Sequence, residues 1–401
     1  MNANTIGCWS SPELTRPPSR RRQTRQTAKS TGASLARETS SKVNQSNAVS
    51  ESFDDVSSLL YGYPLDMLLT SYEHRFLPHG GMPVDVFSPA FASRVTQIAR
   101  DECEPRRNDQ RLLGYWLDNE TIWKPKGSGF DSLLTAALVC FSNTSGTSGT
   151  SGASVASDIS GSPYGLNATL AWLELRYGGN ISRLNVAWNC SAPSFHALPS
   201  QAPFHGTAAR LADDDAYLAM YVDTYARVSA AAIRAEDPNH LVLGSRMNEI
   251  LPGVLQGQAP YVNATDLHLY TAEPSGGDLE RAHLLGGEHP VLISEFGFRA
   301  RDSGLPNTKG AGPLVDTQRE RAGLLRSYVA ELLKYPFVVG YHLFAWAEMP
   351  GAGNLFGADS NYGVVHLDGD VYAEYAQAFG EINAAALSLH AGKGFPTTDS
   401  A

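Results

Sequence analysis

Seven short apolar runs recur along the chain: NTIGCW (4–9), LDMLLTSY (65–72), LLGYWL (112–117), HLVLGSR (240–246), TDLHLY (265–270), PVLISEF (290–296) and PFVVGYHLFAW (336–346). Most are too short for free-standing helices and lack the strict alternation of a half-wet strand. They read as strands buried on both faces. Segments with helical spacing lie between most of them. Buried strands alternating with helices predict a parallel α/β sheet, whose closed form is the (β/α)8 TIM barrel. Such a barrel needs eight strands. Seven are read here, one short of closure. A doubly wound open sheet is the alternative, but no GxGxxG follows a first strand to support it.

The helical segments carry their own punctuation. Ser88-Pro89 opens a helix with an N-cap and a proline at the first position, and Phe91, Val95, Ile98 and Ala99 form its apolar stripe. Further helices are expected at 131–140, 166–177, 181–188, 213–234 (with acids in its first turn), 318–334 and 371–389. Two stretches bury nothing. Residues 15–58 are rich in Arg, Ser, Thr and Gln, and 142–163 repeat Gly, Ser and Thr. Both are expected as disordered inserts in one catalytic barrel spanning 1–390, with 391–401 as a tail.

Two of the strands end on a carboxylate. LLGYWL runs into Asp118-Asn119-Glu120, and PVLISEF delivers Glu295 before Phe296-Gly297. Parallel barrels keep their chemistry at the C-terminal ends of strands, and two glutamates in that position are the equipment of glycoside hydrolysis. A turn rich in Asp and Asn is the plainer reading of 118–120 taken alone.

Charge bears on the partner. The chain carries −10 overall, but its first 50 residues hold eight Lys/Arg against two Glu, leaving −16 on the rest. An acidic body suits a neutral or weakly charged substrate and argues against nucleic acid as the main partner; with the two glutamates read as glycosidase equipment, that substrate is expected to be an oligo- or polysaccharide. No apolar run of membrane-spanning length occurs. The four cysteines, Cys8, Cys103, Cys140 and Cys190, lie far apart with no CxxC. They argue against a metal site and read as free buried thiols, two disulfides being the alternative. No cofactor is called for. The N-terminus shows no charged-then-apolar signal pattern, while sequons at Asn143, Asn167, Asn180 and Asn189 would fit secretion.

NTIGCWSSPEL, the run from SPAFASRV to LLGYWLDNETIW, DPNHLVLGSR, PVLISEFGFRA and VVGYHLFAWAEMP together resemble the β-agarase-type glycoside hydrolases of family 50. Those are relatives of the family 42 β-galactosidases in the clan of retaining (β/α)8 hydrolases. The resemblance covers all but 15–58 and 142–163. It implies that Glu120, following Asn119 at the end of strand four, is the acid/base and that Glu295, ending strand seven, is the nucleophile. It makes NTIGCW strand two and LDMLLTSY strand three, so that the (β/α)8 barrel lacks its first strand at the N-terminus. It further implies that Arg246 binds sugar or orients Glu295, that His268 and Tyr270 flank the nucleophile, and that Trp346 floors a sugar subsite. Asn119 and Trp123 are counted with the substrate-binding residues, and Trp123 joins Tyr115 and Trp116 in an aromatic wall that would favour the protonated form of Glu120 by desolvation. His342, Trp9 and His79 are weaker candidates, and Asn361 and Tyr362 would close the rim. The implied activity is retaining hydrolysis of β-galactosidic linkages in a galactan such as agarose, by a secreted enzyme without metal. A β-galactosidase, another β-glycanase, or a truncated glycan-binding relic without catalysis are the alternatives.

Overall fold

The computed structural model describes residues 61–65, 67, 84–123, 130–142, 163–349 and 359–394. NTIGCW, most of LDMLLTSY, residues 15–58 and 143–162, Trp9 and His79 lie outside the described residues. Those described fall into two compact units.

The first unit comprises Gly62–Asp266 and Arg281–His289. Its strands are β1 (Tyr61–Pro64, from Gly62 on), β2 (Leu112–Asn119), β3 (Leu241–Met247) and the first half of β4 (Thr265–His268), in that order across the sheet. β1 precedes the LDMLLTSY run, yet the ladder continues into it, since Leu65 N donates to Trp116 O and Met67 N to Leu117 O. β2 and β3 pair in parallel. Their helices are α1 (Pro89–Glu102), α2 (Leu133–Ser142), α3 (Pro163–Arg176), α4 (Ile181–Trp188), α5 (Ala208–Glu236) and α6 (Pro252–Gln258). α1 starts as its sequence predicts: Ser88 Oγ accepts from Phe91 N at 3.1 Å, and Phe91, Val95 and Ala99 are buried. Such a cap contributes about 1 kcal/mol.

α5 starts five residues before its predicted start, because Thr207 caps it by accepting from Arg210 N at 3.1 Å. Asp213 therefore does not serve the first turn. It is buried, and accepts from Trp188 Nε1 at 2.7 Å, from Tyr177 hydroxyl at 2.5 Å and from Arg176, tying α3 and α4 to α5. At the other end Asp237 caps α5 and receives the hydroxyl of Tyr115 at 2.6 Å, His240 Nδ1 at 2.6 Å and the Asn239 amide at 2.9 Å. This knot holds the start of β3 against β2. Burial works to raise the Asp237 carboxyl, but the donors from Tyr115 and His240 outweigh it and hold the group below its ordinary range.

The second unit comprises Leu267–Glu280 and the described part of Pro290–Ala401. It holds the end of β4, the start of α7 (Gly276–Leu285), β5 (Val291–Phe296), a short parallel pair β6 (Arg299–Ala300) and β7 (Leu314–Val315), α8 (Gln318–Leu332), β8 (Val338–Leu343) and α9 (Ala373–His390). The strand order is β4-β5-β8, with β5 and β8 parallel. Every residue of β5 is buried, as an apolar run flanked by helices requires. Phe296 stacks on Tyr328 of α8 at 4.7 Å. Burying one such ring contributes about 2–3 kcal/mol. α8 opens with a capping box between Thr317 and Glu320.

Within α8, Arg321 is fully buried. It donates to the carbonyls of Phe298, Tyr362 and Gly363 and lies 3.6 Å from the ring centre of Tyr375. No helix of the described residues is long and apolar enough to cross a membrane. Cys103, Cys140 and Cys190 are free thiols, Cys190 only half-buried; Cys8 lies outside the described residues.

Candidate functional site

In the first unit the end of β2 assigns its polar residues to different tasks. Asp118 is fully buried and accepts from the Tyr225 hydroxyl of α5, so it serves packing. Asn119 pairs in register with Arg246 of β3, and the Glu120 amide donates to the Arg246 carbonyl at 2.8 Å. Glu120 has φ +48°, the left-handed region that residues with a Cβ avoid. Such strain costs about 1–3 kcal/mol and persists where surrounding contacts impose it. Glu120 and Asn119 are each 9% exposed, and Asn119 Oδ1 meets no hydrogen-bond partner among the described residues.

The three aromatics expected to wall Glu120 have different partners. Tyr115 sends its hydroxyl to Asp237 and to the Cys103 carbonyl at 3.2 Å, the far end of α1 and α5. Trp123 is 5% exposed, packs edge-on against Tyr225 at 5.6 Å, and its Nε1 finds no partner among the described residues. Trp116 alone reaches across the strands: its Nε1 donates to Asp266 of β4 at 2.8 Å, and the Arg246 guanidinium lies 5.1 Å over its ring. The first unit thus gathers Asn119, Glu120, Arg246, Trp116 and Asp266, while Trp123 goes to the α5 side. Asp266 was not legible beforehand, because nothing local marks an acid that receives an indole 150 residues away in the chain.

In the second unit, Glu295 is 9% exposed and is held from the β4 side. Leu269 N donates to the Glu295 carbonyl at 2.9 Å, which continues the β4–β5 ladder past the end of β4. One residue on, the Tyr270 hydroxyl donates to Glu295 Oε1 at 2.5 Å, and His268 Nδ1 lies 3.6 Å from Oε2. Tyr270, Phe344 and Tyr362 meet edge-to-face, beside Ala345 and Met349. Gly297 permits this closeness, since a Cβ there would sit 2.5 Å from the Phe344 carbonyl and 2.9 Å from the Tyr362 ring. Burial pushes the Tyr362 hydroxyl up to about 12, against the pull of Arg299. Trp346 is half-buried, with its carbonyl accepting from the amides of Val364 and Val365, and His342 is buried within β8.

Asn361, adjoining Tyr362, anchors the rim through its side chain, which accepts from Ala300 N at 2.9 Å. Arg299 and Arg321 support the same corner from below through backbone carbonyls. Neither was marked by sequence, because an arginine is by default a surface residue.

Comparison with known proteins places this geometry. β-Agarase A of Vibrio sp. (strain JT0107) is 28% identical over 313 residues, which are 76% of this chain and 30% of that protein. Among solved structures, an exo-β-agarase superposes with a TM-score of 0.66 at 22% identity, over 83% of this chain and 43% of the other. An agarase gives 0.67 at 21% identity, over 84% and 46%. A β-galactosidase from the psychrophilic Marinomonas ef1 gives 0.56 at 12%, over 98% and 61%. No family model matches the chain. The chain spans less than half the length of these agarases, and at such identities the structural likeness shows the mostly parallel α/β fold.

Proposed function

We propose that this chain, a relative of the β-agarase-type glycoside hydrolases of family 50, is a retaining glycoside hydrolase that cleaves β-galactosidic linkages in a galactan such as agarose. The observation that carries the reading is the 2.5 Å bond from the Tyr270 hydroxyl to Glu295 Oε1. A phenol donating to a strand-end carboxylate holds it in one rotamer, with the other oxygen free to face a substrate. The strained backbone of Glu120 supports a second dedicated carboxylate. The fold in this reading is the (β/α)8 barrel, and retention requires the two carboxyls of such a pair to lie about 5–5.5 Å apart.

In the first step Glu295 attacks the anomeric carbon while Glu120 gives its proton to the leaving oxygen. In the second, Glu120 as carboxylate takes a proton from water, which releases the sugar from Glu295 with net retention. Acid–base assistance of this kind contributes about 100- to 10,000-fold. Asn119 and Arg246 hydrogen-bond sugar hydroxyls, His268 and Tyr270 orient Glu295, Trp346 packs against a pyranose face, and Trp123 backs the Glu120 loop.

Azide tests the roles. Glu295→Ala lacks the nucleophile, so azide attacks directly and gives a glycosyl azide of inverted configuration. Glu120→Ala still forms the glycosyl-enzyme from an activated aryl β-galactoside, and azide then gives the retained anomer. The reverse pairing swaps the roles. Full activity in both variants, or binding of agarose without hydrolysis by the wild type, refutes the reading.

A further inference from the structure

Resting on that reading, we infer that Tyr362 is a positioning residue for Glu295, acting through the ring of Tyr270. The Tyr270 hydroxyl reaches Glu295 Oε1 at 2.5 Å, a bond that tolerates little tilt of the ring carrying it. Tyr270 itself lies just past the end of β4 and is half-buried. Two neighbouring rings pack against it. Tyr362 meets it at 6.2 Å and 69°, Phe344 at 6.4 Å and 75°, and these two close on each other at 5.2 Å.

Phe344 takes its place from the sheet, since its amide donates to the Phe296 carbonyl at 2.8 Å. Tyr362 is held by separate means at both ends. Its hydroxyl donates to the Ala311 carbonyl at 2.7 Å, and its own carbonyl accepts from Arg321 Nη2 at 2.6 Å. Two glycines make room for the ring. Gly297 follows the nucleophile's strand without a Cβ, and Gly310, at φ +149°, passes the Tyr362 hydroxyl where a side chain would collide with it. A line of contacts therefore runs from Arg321 through Tyr362 and Tyr270 to the carboxylate.

The test compares Tyr362→Leu, Tyr270→Phe and the double variant in the full chain, with Tyr362→Phe as the conservative control. On an aryl β-galactoside, each of the first two lowers kcat about 10- to 100-fold, the range for one hydrogen bond to a charged group, with KM unchanged. The double variant falls no further than Tyr270→Phe alone, and Tyr362→Phe keeps kcat within about twofold. A second readout needs no turnover. The proton of a short O–H···O⁻ bond resonates far downfield of the amides. It should be present in the wild type and Tyr362→Phe, absent from Tyr270→Phe, and lost from Tyr362→Leu.

Glu295→Ala with intact activity would remove the functional reading, while the resonance still decides the positioning role. Multiplicative effects in the double variant, or an unaltered resonance in Tyr362→Leu, overturn the inference. If Tyr362→Leu fails to fold, Tyr362→Met is read in the same way. Failure of both to fold makes Tyr362 a structural residue and overturns the inference as well.

Discussion

Replacing Glu120 by alanine and by glycine isolates the cost of its backbone. Both changes remove the carboxylate and leave the amide bond to the Arg246 carbonyl at 2.8 Å, so those effects cancel in the comparison. What remains is φ +48°. A residue with a Cβ pays about 1–2 kcal/mol in that region, and glycine does not. Glycine loses about 0.4–1 kcal/mol through the greater freedom of its unfolded chain. The glycine variant is therefore expected to be more stable than the alanine variant by about 0.5–1 kcal/mol, or about 1–4 °C in Tm for a unit of this size. Calorimetry and urea midpoints measure the difference, and neither variant turns over polysaccharide. Ala231, exposed inside α5, supplies the control. There Ala231→Gly costs about 1 kcal/mol, the opposite sign. An alanine variant at 120 as stable as the glycine variant, beside a normal cost at 231, refutes the strain argument.

Two further outcomes concern the first unit. Asp237→Ala leaves the hydroxyl of Tyr115 with only the Cys103 carbonyl, and His240 with only its Nε2 contact to the Asp109 carbonyl, so a loss of about 3–5 kcal/mol in urea unfolding is expected; a loss below 1 kcal/mol, about one hydrogen bond, refutes the knot. For Asp214, burial pushes the carboxyl up to about 6, against the pull of Ser132 and Arg210. The native state then keeps a proton that the unfolded chain releases between about pH 4 and pH 6, so stability falls as pH rises through that window. Asp214→Asn should accordingly exceed wild type in urea midpoint at pH 8 and lose that advantage by pH 4, and a difference independent of pH would contradict it.

Much of the architecture was written in local pattern. The helix over Ile181–Trp188, the Ser88 cap and the strand from Leu112 each follow from spacing and capping chemistry that operate within a few residues. Both glutamates were legible for the same reason, as a polar residue ending a buried apolar run. Several of the groups behind their neighbours were not. Asp266 meets Trp116, Tyr362 meets Tyr270, and Arg321 meets the Tyr362 carbonyl across long stretches of chain. Tyr362 entered only as a rim residue, through family resemblance, and nothing around it announced the ring packing. The two arginines were hidden by their own chemistry, since a guanidinium is buried only when backbone carbonyls are arranged to receive it.

The direction in which a strand sends its side chains depends on register. β2 and β3 pair Tyr115 with Val242, Trp116 with Gly244 and Asn119 with Arg246. β3 first gains a residue at Gly244, and β2 then gains one before Asn119. β5 and β8 repeat the sequence: Leu292 faces Gly340, and an extra residue enters β5 between Ile293 and Phe296. A bulge turns the two-residue alternation over, so side chains beyond it leave from the face opposite to the one counting assigns. Tyr115 and Asp118, three apart, should face opposite ways, yet both bond to groups of α5. Gly244 fits the slip because it adopts φ +84° and carries no side chain to misdirect. Each glutamate sits at or just past such a slip. The residues whose chemistry is easiest to recognise are thus those whose direction period-two counting gives least well, because the same irregularity that ends regular pairing also turns the carboxylate out of the packed face.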